Sequence, residues 1–275
     1  MPANKKLNPT QLRLLKGSGQ KLSMITCYDY SFACIINQTD IDLILVGDSG
    51  VMVSLGYPDT THATIDMMAM MTKAVSRGAN HKCIIADMPF LSQRQGIEHA
   101  TQCADTLIKS GANAIKIEGV NGHEKVIQHL VESGIPVMGH LGLTPQSVHS
   151  IGYRLQGKTD NESNKIKTEA IALQKLGCFS VVLECIPSEL AAEIQATLSI
   201  PVIGIGAGKQ VDGQVLVLQD MLGITQDLKP KFVRHFLNGK ALVQSAINDY
   251  CNHVQNGDYP DTTESYCKTK TVSTT

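Results

Sequence analysis

The sequence predicts an α/β protein: a single-domain (β/α)8 TIM barrel with one helix before its first strand and more helices after its last. Three observations lead there. Apolar runs rich in branched residues recur every 20–40 residues or so, with helix-period segments between them, the pattern of parallel strands joined by crossovers. Five of those runs end in an ionisable residue: Leu43-Ile44-Leu45-Val46-Gly47-Asp48, Cys83-Ile84-Ile85-Ala86-Asp87, Ala114-Ile115-Lys116-Ile117-Glu118, Pro136-Val137-Met138-Gly139-His140 and Val181-Val182-Leu183-Glu184. The length, 275 residues, is close to the roughly 250 typical of this barrel. A lone Asp after a strand is ordinarily a turn former or a helix cap. Five strands that repeat the feature are a different matter. If they run parallel, the five side chains share one pocket at the carboxyl ends of the strands.

The elements follow in order. Residues 7–16 read as a short amphipathic helix with Leu7, Leu12 and Leu15 on its apolar side. Residues 22–29 form the first strand and 30–38 its helix; the second strand is Leu43 to Val46, followed by an irregular stretch over 50–63. Thr64 caps a helix that runs through four methionines, Met67, Met68, Met70 and Met71, to Gly78, and these are expected as core filler. The third strand ends at Asp87, and a helix over 96–110 stops at Gly111. The fourth strand spans 114–119, its helix 124–133, and the fifth strand 136–141. From there to about Lys158 no periodicity holds, which predicts a long loop over the pocket. A helix ending at Gly177, a sixth strand over 179–185, a helix after Pro187-Ser188 and a seventh strand over 201–206 complete the alternation. The eighth strand, 214–218, comes too soon for a full helix before it. Helices are expected from Pro230 to about His253. The barrel domain then covers residues 1–260, and the Ser/Thr-rich residues 261–275 form a disordered tail.

A doubly wound open sheet is the competing architecture, but it carries a Gly-rich turn after its first strand, where this chain has Cys27-Tyr28-Asp29-Tyr30. The Gly-rich turn comes late, at Gly204-Ile205-Gly206-Ala207-Gly208. There it either binds an anion or lets the strand bend close to a neighbour.

Composition narrows the function. A net charge of −1, from 24 basic and 25 acidic residues, with no basic run, argues against nucleic-acid binding. Hydrophobic residues make up 43 % of the chain, and no apolar run approaches the roughly 18 residues that span a bilayer. Residues 1–9 lack the apolar core of a secretory leader. The eight cysteines include no C-x-x-C pair, and Cys27, Cys83 and Cys185 lie in strand-like runs, as reduced buried thiols do. A soluble cytoplasmic protein is expected.

Asp48, Asp87 and Glu118 would repel one another in one pocket unless a cation sat among them, and an all-oxygen set suits magnesium. Lys116, two residues before Glu118, shares its face of the strand and can pair with an anionic substrate. His140 is placed to donate to a substrate oxygen. Glu184 follows three apolar residues; burial there would raise its pKa and suit it to be a general base. A metal, a cation and a separate base together fit proton removal beside a carbonyl.

Val46-Gly47-Asp48-Ser49, Ala86-Asp87-Met88-Pro89-Phe90, Ile115-Lys116-Ile117-Glu118-Gly119, Gly139-His140-Leu141-Gly142-Leu143-Thr144-Pro145-Gln146-Ser147, Leu183-Glu184-Cys185 and Ile203-Gly204-Ile205-Gly206-Ala207-Gly208 resemble the ketopantoate hydroxymethyltransferase family. The resemblance runs in order from about Met24 to Phe236, and the run from Gly139 to Ser147 is its most specific part. It implies a magnesium-binding barrel that transfers a hydroxymethyl group from 5,10-methylenetetrahydrofolate to 3-methyl-2-oxobutanoate, giving 2-dehydropantoate in pantothenate biosynthesis. Asp48 and Asp87 match metal ligands, and Glu118 an acidic residue that reaches the metal through water. The substrate-contacting set implied is Asp48, Ser49, Asp87, Lys116 and His140, with Glu184 as the base. Large ring-like homo-oligomers, typically homodecamers with exchanged C-terminal helices, are also implied. The competing readings are another magnesium-dependent enolate-forming barrel, of the phosphoenolpyruvate mutase and isocitrate lyase type, and a non-catalytic metal-binding barrel.

Overall fold

The computed structural model describes residues 6–225 and 230–266. Helix α1 (Pro9–Leu14) starts at Asn8, whose side chain accepts the Gln11 N–H while Gln11 returns a bond to the Asn8 N–H, a reciprocal cap. Eight strands follow: β1 (Leu22–Thr26), β2 (Leu43–Val46), β3 (Cys83–Asp87), β4 (Ala114–Glu118), β5 (Val137–Gly142), β6 (Ser180–Glu184), β7 (Val202–Ile205) and β8 (Gly213–Leu216). They close in sequence order into one barrel in which every neighbouring pair is parallel and β8 returns to β1.

Strand parity then does the placing. Side chains alternate across a strand, and the barrel's inner cluster contains Leu43 and Leu45 of β2, Cys83 and Ile85 of β3, Ala114 of β4, Met138 of β5 and Val182 of β6. Two residues further along, the same inward row holds Asp87 on β3, Lys116 and then Glu118 on β4, His140 on β5 and Glu184 on β6. The lower barrel is apolar and the upper barrel ionisable. On the outward parity a Cβ at Gly139 would meet the Leu173 side chain at 2.5 Å.

The floor of the barrel is closed by α1. Leu12 is fully buried among the inner-cluster residues, with Leu7 and Leu15 packed beside it. An ion pair holds the plug: Asp212 Oδ2 accepts from Lys16 Nζ at 2.7 Å and from the Val202 N–H at 2.9 Å, while Oδ1 accepts from Gln195 at 2.7 Å.

Helices α2 (Tyr30–Asn37), α4 (Ile65–Gly78), α5 (Ile97–Lys109), α6 (Glu124–Glu132), α8 (Asp160–Lys175) and α9 (Ser188–Thr197) are the crossovers, with the short α3 (Gly50–Val53) and α7 (Val148–Ile151) in the loops. Several differences from the sequence reading have local causes. The first strand stops at Thr26 because Asp29 turns to cap α2, accepting the Phe32 N–H at 2.9 Å. Thr64 caps α4 as expected, but of its methionines only Met68 and Met71 are buried, whereas Met70 faces solvent. No helix joins β7 to β8. The chain turns back through Gly206 and Gly208, both at positive φ, where added Cβ atoms would lie 2.7 Å from the Phe232 ring and 2.5 Å from Ser188. Those contacts give the late glycines the close-approach role.

The chain divides into two compact units. The barrel unit runs to Leu218 and takes in residues 230–233. The smaller unit comprises residues 219–225 and 234–266 of the described chain. The short α10 (Leu218–Met221) follows β8, and one 18-residue helix, α11 (Gly239–Asn256), stands where several helices were expected. Within the smaller unit Phe236 N–H bonds to Met221 O and Gly239 N–H to Leu222 O, each at 2.8 Å. Of the expected tail, residues 267–275 lie outside the described residues; Asp261 Oδ1 accepts the Thr263 N–H at 2.6 Å in a turn. Among the described residues no helix is long and apolar enough to cross a membrane.

Leu12→Ala removes a side chain with no route to solvent, so it should lower unfolding free energy by about 2–5 kcal/mol. Chemical denaturation checks this; a loss below about 0.5 kcal/mol would show that α1 does not seal the floor.

Candidate active site

The register of the sheet sets the pocket's pairs. Asp87 lies opposite Lys116, Glu118 opposite His140, and Gly142 opposite Glu184. Lys116 Nζ sits 3.0 Å from Asp87 Oδ1 and 3.2 Å from His140 Nδ1. His140 in turn bridges two carboxylates, with Nδ1 3.3 Å from Glu118 Oε1 and Nε2 3.1 Å from Glu184 Oε2. Asp48, Asp87, Lys116, Glu118 and His140 are all buried. All the ionisable residues expected in the pocket except Asp48 thus belong to one contact chain along adjacent strands. Asp48 joins it through its backbone, whose N–H bonds to Asp87 Oδ2 at 3.1 Å.

Glu184 departs from expectation: its side chain keeps 16 % of its exposure at the mouth of the pocket. The next residue explains its position. Cys185 has φ of 47°, a left-handed turn uncommon for a non-glycine residue, which takes the chain out of β6 directly after the carboxylate. Gly142 lets this happen, since at φ of 92° an added Cβ would stand 2.2 Å from the Glu184 carbonyl oxygen.

Charge is concentrated beyond what water would tolerate. Burial first, then the charges of Asp87 and Glu118, push the Asp48 carboxyl well above the usual carboxylate range. Burial also raises Asp87, with Lys116 partly offsetting it. Burial alone would lower Lys116, but Asp87, Glu118 and Asp48 outweigh it and hold the ammonium protonated. In His140, burial and Lys116 act downward, while the facing carboxylates of Glu118 and Glu184 bring the imidazole up to about 9. Four carboxylates, Asp48, Asp87, Glu118 and Glu184, share the pocket with two basic groups, Lys116 and His140, so full ionisation would leave two negative charges in excess.

That excess is what a divalent cation would satisfy. Among the described residues no three His, Cys, Asp or Glu side chains form a ready-made metal cage. Magnesium asks for less, because it keeps several waters and takes one or two carboxylates. Asp48 and Asp87, oxygen donors on adjacent strand ends, fit it. Glu118 Oε1 is buried without a well-directed hydrogen bond, which leaves an acceptor for water.

The structure adds two residues to the site that the sequence reading did not assign. The hydroxyl of Tyr28 is 2.9 Å from Ser49 Oγ, and its ring occupies the space a side chain at position 50 would need. Gln146 reaches in from the long loop after β5 and bonds to Asp48, Glu118 and Met88. Tyr28 shares the inward parity of Leu22 and Met24 in the expected first strand, but Gln146 had no signal in strand periodicity. Gln146 was visible only as part of the specific run from Gly139 to Ser147.

The two irregular loops meet over the strand ends. Asp59, from the loop after β2, contacts His62 Nδ1 at 3.3 Å and, across the gap, His149 Nε2 of α7 at 3.2 Å.

A closed parallel barrel with its ionisable groups gathered at the strands' carboxyl ends is the architecture of a barrel enzyme. Residues 6–262 match the ketopantoate hydroxymethyltransferase family profile, and the chain belongs to this family. It is 51 % identical over 253 residues to the 3-methyl-2-oxobutanoate hydroxymethyltransferase of Francisella tularensis subsp. novicida, covering 92 % of this chain and 95 % of that one. The enzyme of the same name from Bdellovibrio bacteriovorus is 53 % identical over 252 residues, covering 91 % and 96 %. Among solved structures, 2,3-dimethylmalate lyase, of the phosphoenolpyruvate mutase and isocitrate lyase superfamily, aligns at a TM-score of 0.59 with 15 % identity, over 94 % of this chain and 91 % of that one. Phosphoenolpyruvate phosphomutase from Streptomyces platensis subsp. rosaceus aligns at 0.61 with 12 % identity, over 91 % and 88 %. At that identity the likeness is one of fold.

His140 gives the pocket a measurable signature in the metal-free protein. Its imidazole rises from 6.5 to about 9 on folding, so its stabilising contribution is complete below about pH 6.5 and is lost as pH rises through about 9. NMR of the ring protons should show the midpoint near 9; a midpoint near 6.5 would contradict the Glu118–His140–Glu184 contacts.

Proposed function

We propose that this chain transfers a hydroxymethyl group from 5,10-methylenetetrahydrofolate to 3-methyl-2-oxobutanoate, with water, giving 2-dehydropantoate and tetrahydrofolate in pantothenate biosynthesis. What carries the reading is the pairing of family membership over nearly the whole chain with an inward row of charges that suits proton removal beside a carbonyl. A magnesium ion held by Asp48 and Asp87, with Glu118 reaching it through water, would act when bound as a Lewis acid toward the 2-oxo acid's carbonyl and carboxylate oxygens.

The chain's own groups do the rest. Lys116 stays protonated and attracts the substrate carboxylate. Ser49 and His140 contact the substrate oxygens; His140 keeps Nδ1 beside Glu118 and donates from Nε2 by exchanging its contact with Glu184. Glu184, at the pocket mouth, takes the C3 proton. The carbon then attacks the folate-borne methylene, and water releases tetrahydrofolate.

Assembly into a homodecamer is part of the proposal. In α11 the apolar residues Leu242, Val243, Ile247, Tyr250 and Val254 are all exposed; four of them recur at intervals of three and four residues, as on a helix face that packs against a partner. A cytoplasmic location is proposed as well, on the unpaired Cys27, Cys83 and Cys178, whose thiols burial pushes up to about 11 or 12.

If Glu184 is the base, the C3 proton of 3-methyl-2-oxobutanoate should exchange with heavy water in the presence of magnesium without folate. Glu184→Gln keeps the shape and removes the basicity, so exchange should fall about 10²–10⁴-fold while substrate affinity stays near wild type. Deuterium incorporation followed by NMR is the measurement. Undiminished exchange in the variant would take the role from Glu184.

A further inference from the structure

Gln146 lies on a 3-10 turn (Pro145–Ser147) in the loop after β5, yet its side chain is buried against the carboxylates of the pocket. Its backbone N–H donates to Glu118 Oε2 at 3.0 Å. Its side-chain Nε2 donates to Asp48 Oδ2 and to the Met88 carbonyl oxygen, both at 2.8 Å. One residue therefore grips two of the three carboxylates, one by the main chain and one by the amide. The amide can point only one way: turning it over would set Oε1 against two acceptors. Oε1 is left buried with no hydrogen-bond donor. A buried acceptor without a donor is costly, and its persistence here points to a donor that arrives with a ligand.

We propose that Gln146 is the positioning residue of the metal centre. It fixes the rotation of Asp48, holds Glu118 beside it, and offers Oε1 to a water that a hydrated divalent cation would bring. The proposal rests on the reading that Asp48, Asp87 and Glu118 serve a divalent cation. It extends that reading, because Gln146 acts through those carboxylates and is not itself a ligand. The neutral amide suits the task. A Lys or Arg would neutralise Asp48 and compete with the cation, and a carboxylate would add to the repulsion that already raises Asp48. Met88 O gives the amide a second anchor on the chain leaving β3, next to Asp87, so the clasp ties the ends of β2, β3 and β4 to one loop.

The test is calorimetric titration of magnesium into the full-length chain without substrates. Gln146→Met and Gln146→Leu keep the backbone grip on Glu118 and remove the amide. Each should weaken magnesium binding about 10–100-fold, the scale of a hydrogen bond to a charged group, with circular dichroism showing a folded barrel. In turnover assays the apparent KM for magnesium should rise by more than kcat falls. Wild-type affinity in folded Gln146→Met or Gln146→Leu would overturn the proposal, as would a loss of kcat with an unchanged magnesium requirement. If neither apolar variant folds, Gln146→Asn replaces them: its amide is one methylene short of Asp48, and the same weakening is expected or the proposal fails. A wild-type chain that takes up no magnesium at millimolar concentration would overturn the cation reading itself, a result distinct from any difference between variants.

Discussion

The site depends on one constraint: carboxylates forced together at the dry ends of adjacent strands. Alone in a pocket, Asp48, Asp87 and Glu118 would be driven apart or protonated, and burial first, then the charges of Asp87 and Glu118, raise the Asp48 carboxyl. Lys116 and His140 relieve it from the inside, Lys116 against Asp87 and His140 between Glu118 and Glu184. They cannot relieve it fully, and the remaining negative charge defines what the pocket can accept. In the proposed reaction a small, hard cation and an anionic oxo acid would complement each other there, the one neutralising the carboxylates and the other meeting the ammonium and the imidazolium.

The apolar lower barrel makes the constraint tolerable. Because side chains alternate along each strand, the residues that close the inner cluster and those that line the pocket occupy the same inward rows, two positions apart. The stability supplied by Leu43, Leu45, Ile85, Met138 and Val182 is laid down directly beneath the charges, with Leu12 sealing the opposite end. The separations of the acid–base pairs follow from the spacing between neighbouring strands and not from loop conformation.

What the sequence made legible was whatever depended on periodicity. Each apolar run became a strand; β3, β4 and β6 end on their ionisable residues, Asp48 lies just past β2 and His140 just inside the end of β5, and Thr64 capped its helix as read. The short interval before β8 was correctly troublesome, since the barrel omits a helix there and turns on Gly206 and Gly208. Failures came where a tertiary contact, and no local period, decides the outcome. Met70 was counted with the other methionines as core, although the buried stripe of its helix, Met68, Met71, Thr72 and Val75, leaves it on the opposite face. Glu184 was expected to be buried by its apolar neighbours, but the left-handed Cys185 brings it to the mouth. Gln146 sits 98 residues from the carboxylate it grips, and nothing in its own neighbourhood announces that contact.

The grip of Gln146 also ties the site to a part of the chain that strands do not control. Asp48, Asp87 and Glu118 are in place once their strands pair, but Gln146 arrives only when the segment after β5 has settled over them, with His149 on Asp59 at its outer edge. Occupancy of the pocket and order in that segment are therefore linked quantities. Whatever binds to the clasped carboxylates stabilises the closed segment by its own preference for that arrangement, and whatever fastens the segment returns the same free energy to the pocket. The roof of this barrel is thermodynamically part of its floor.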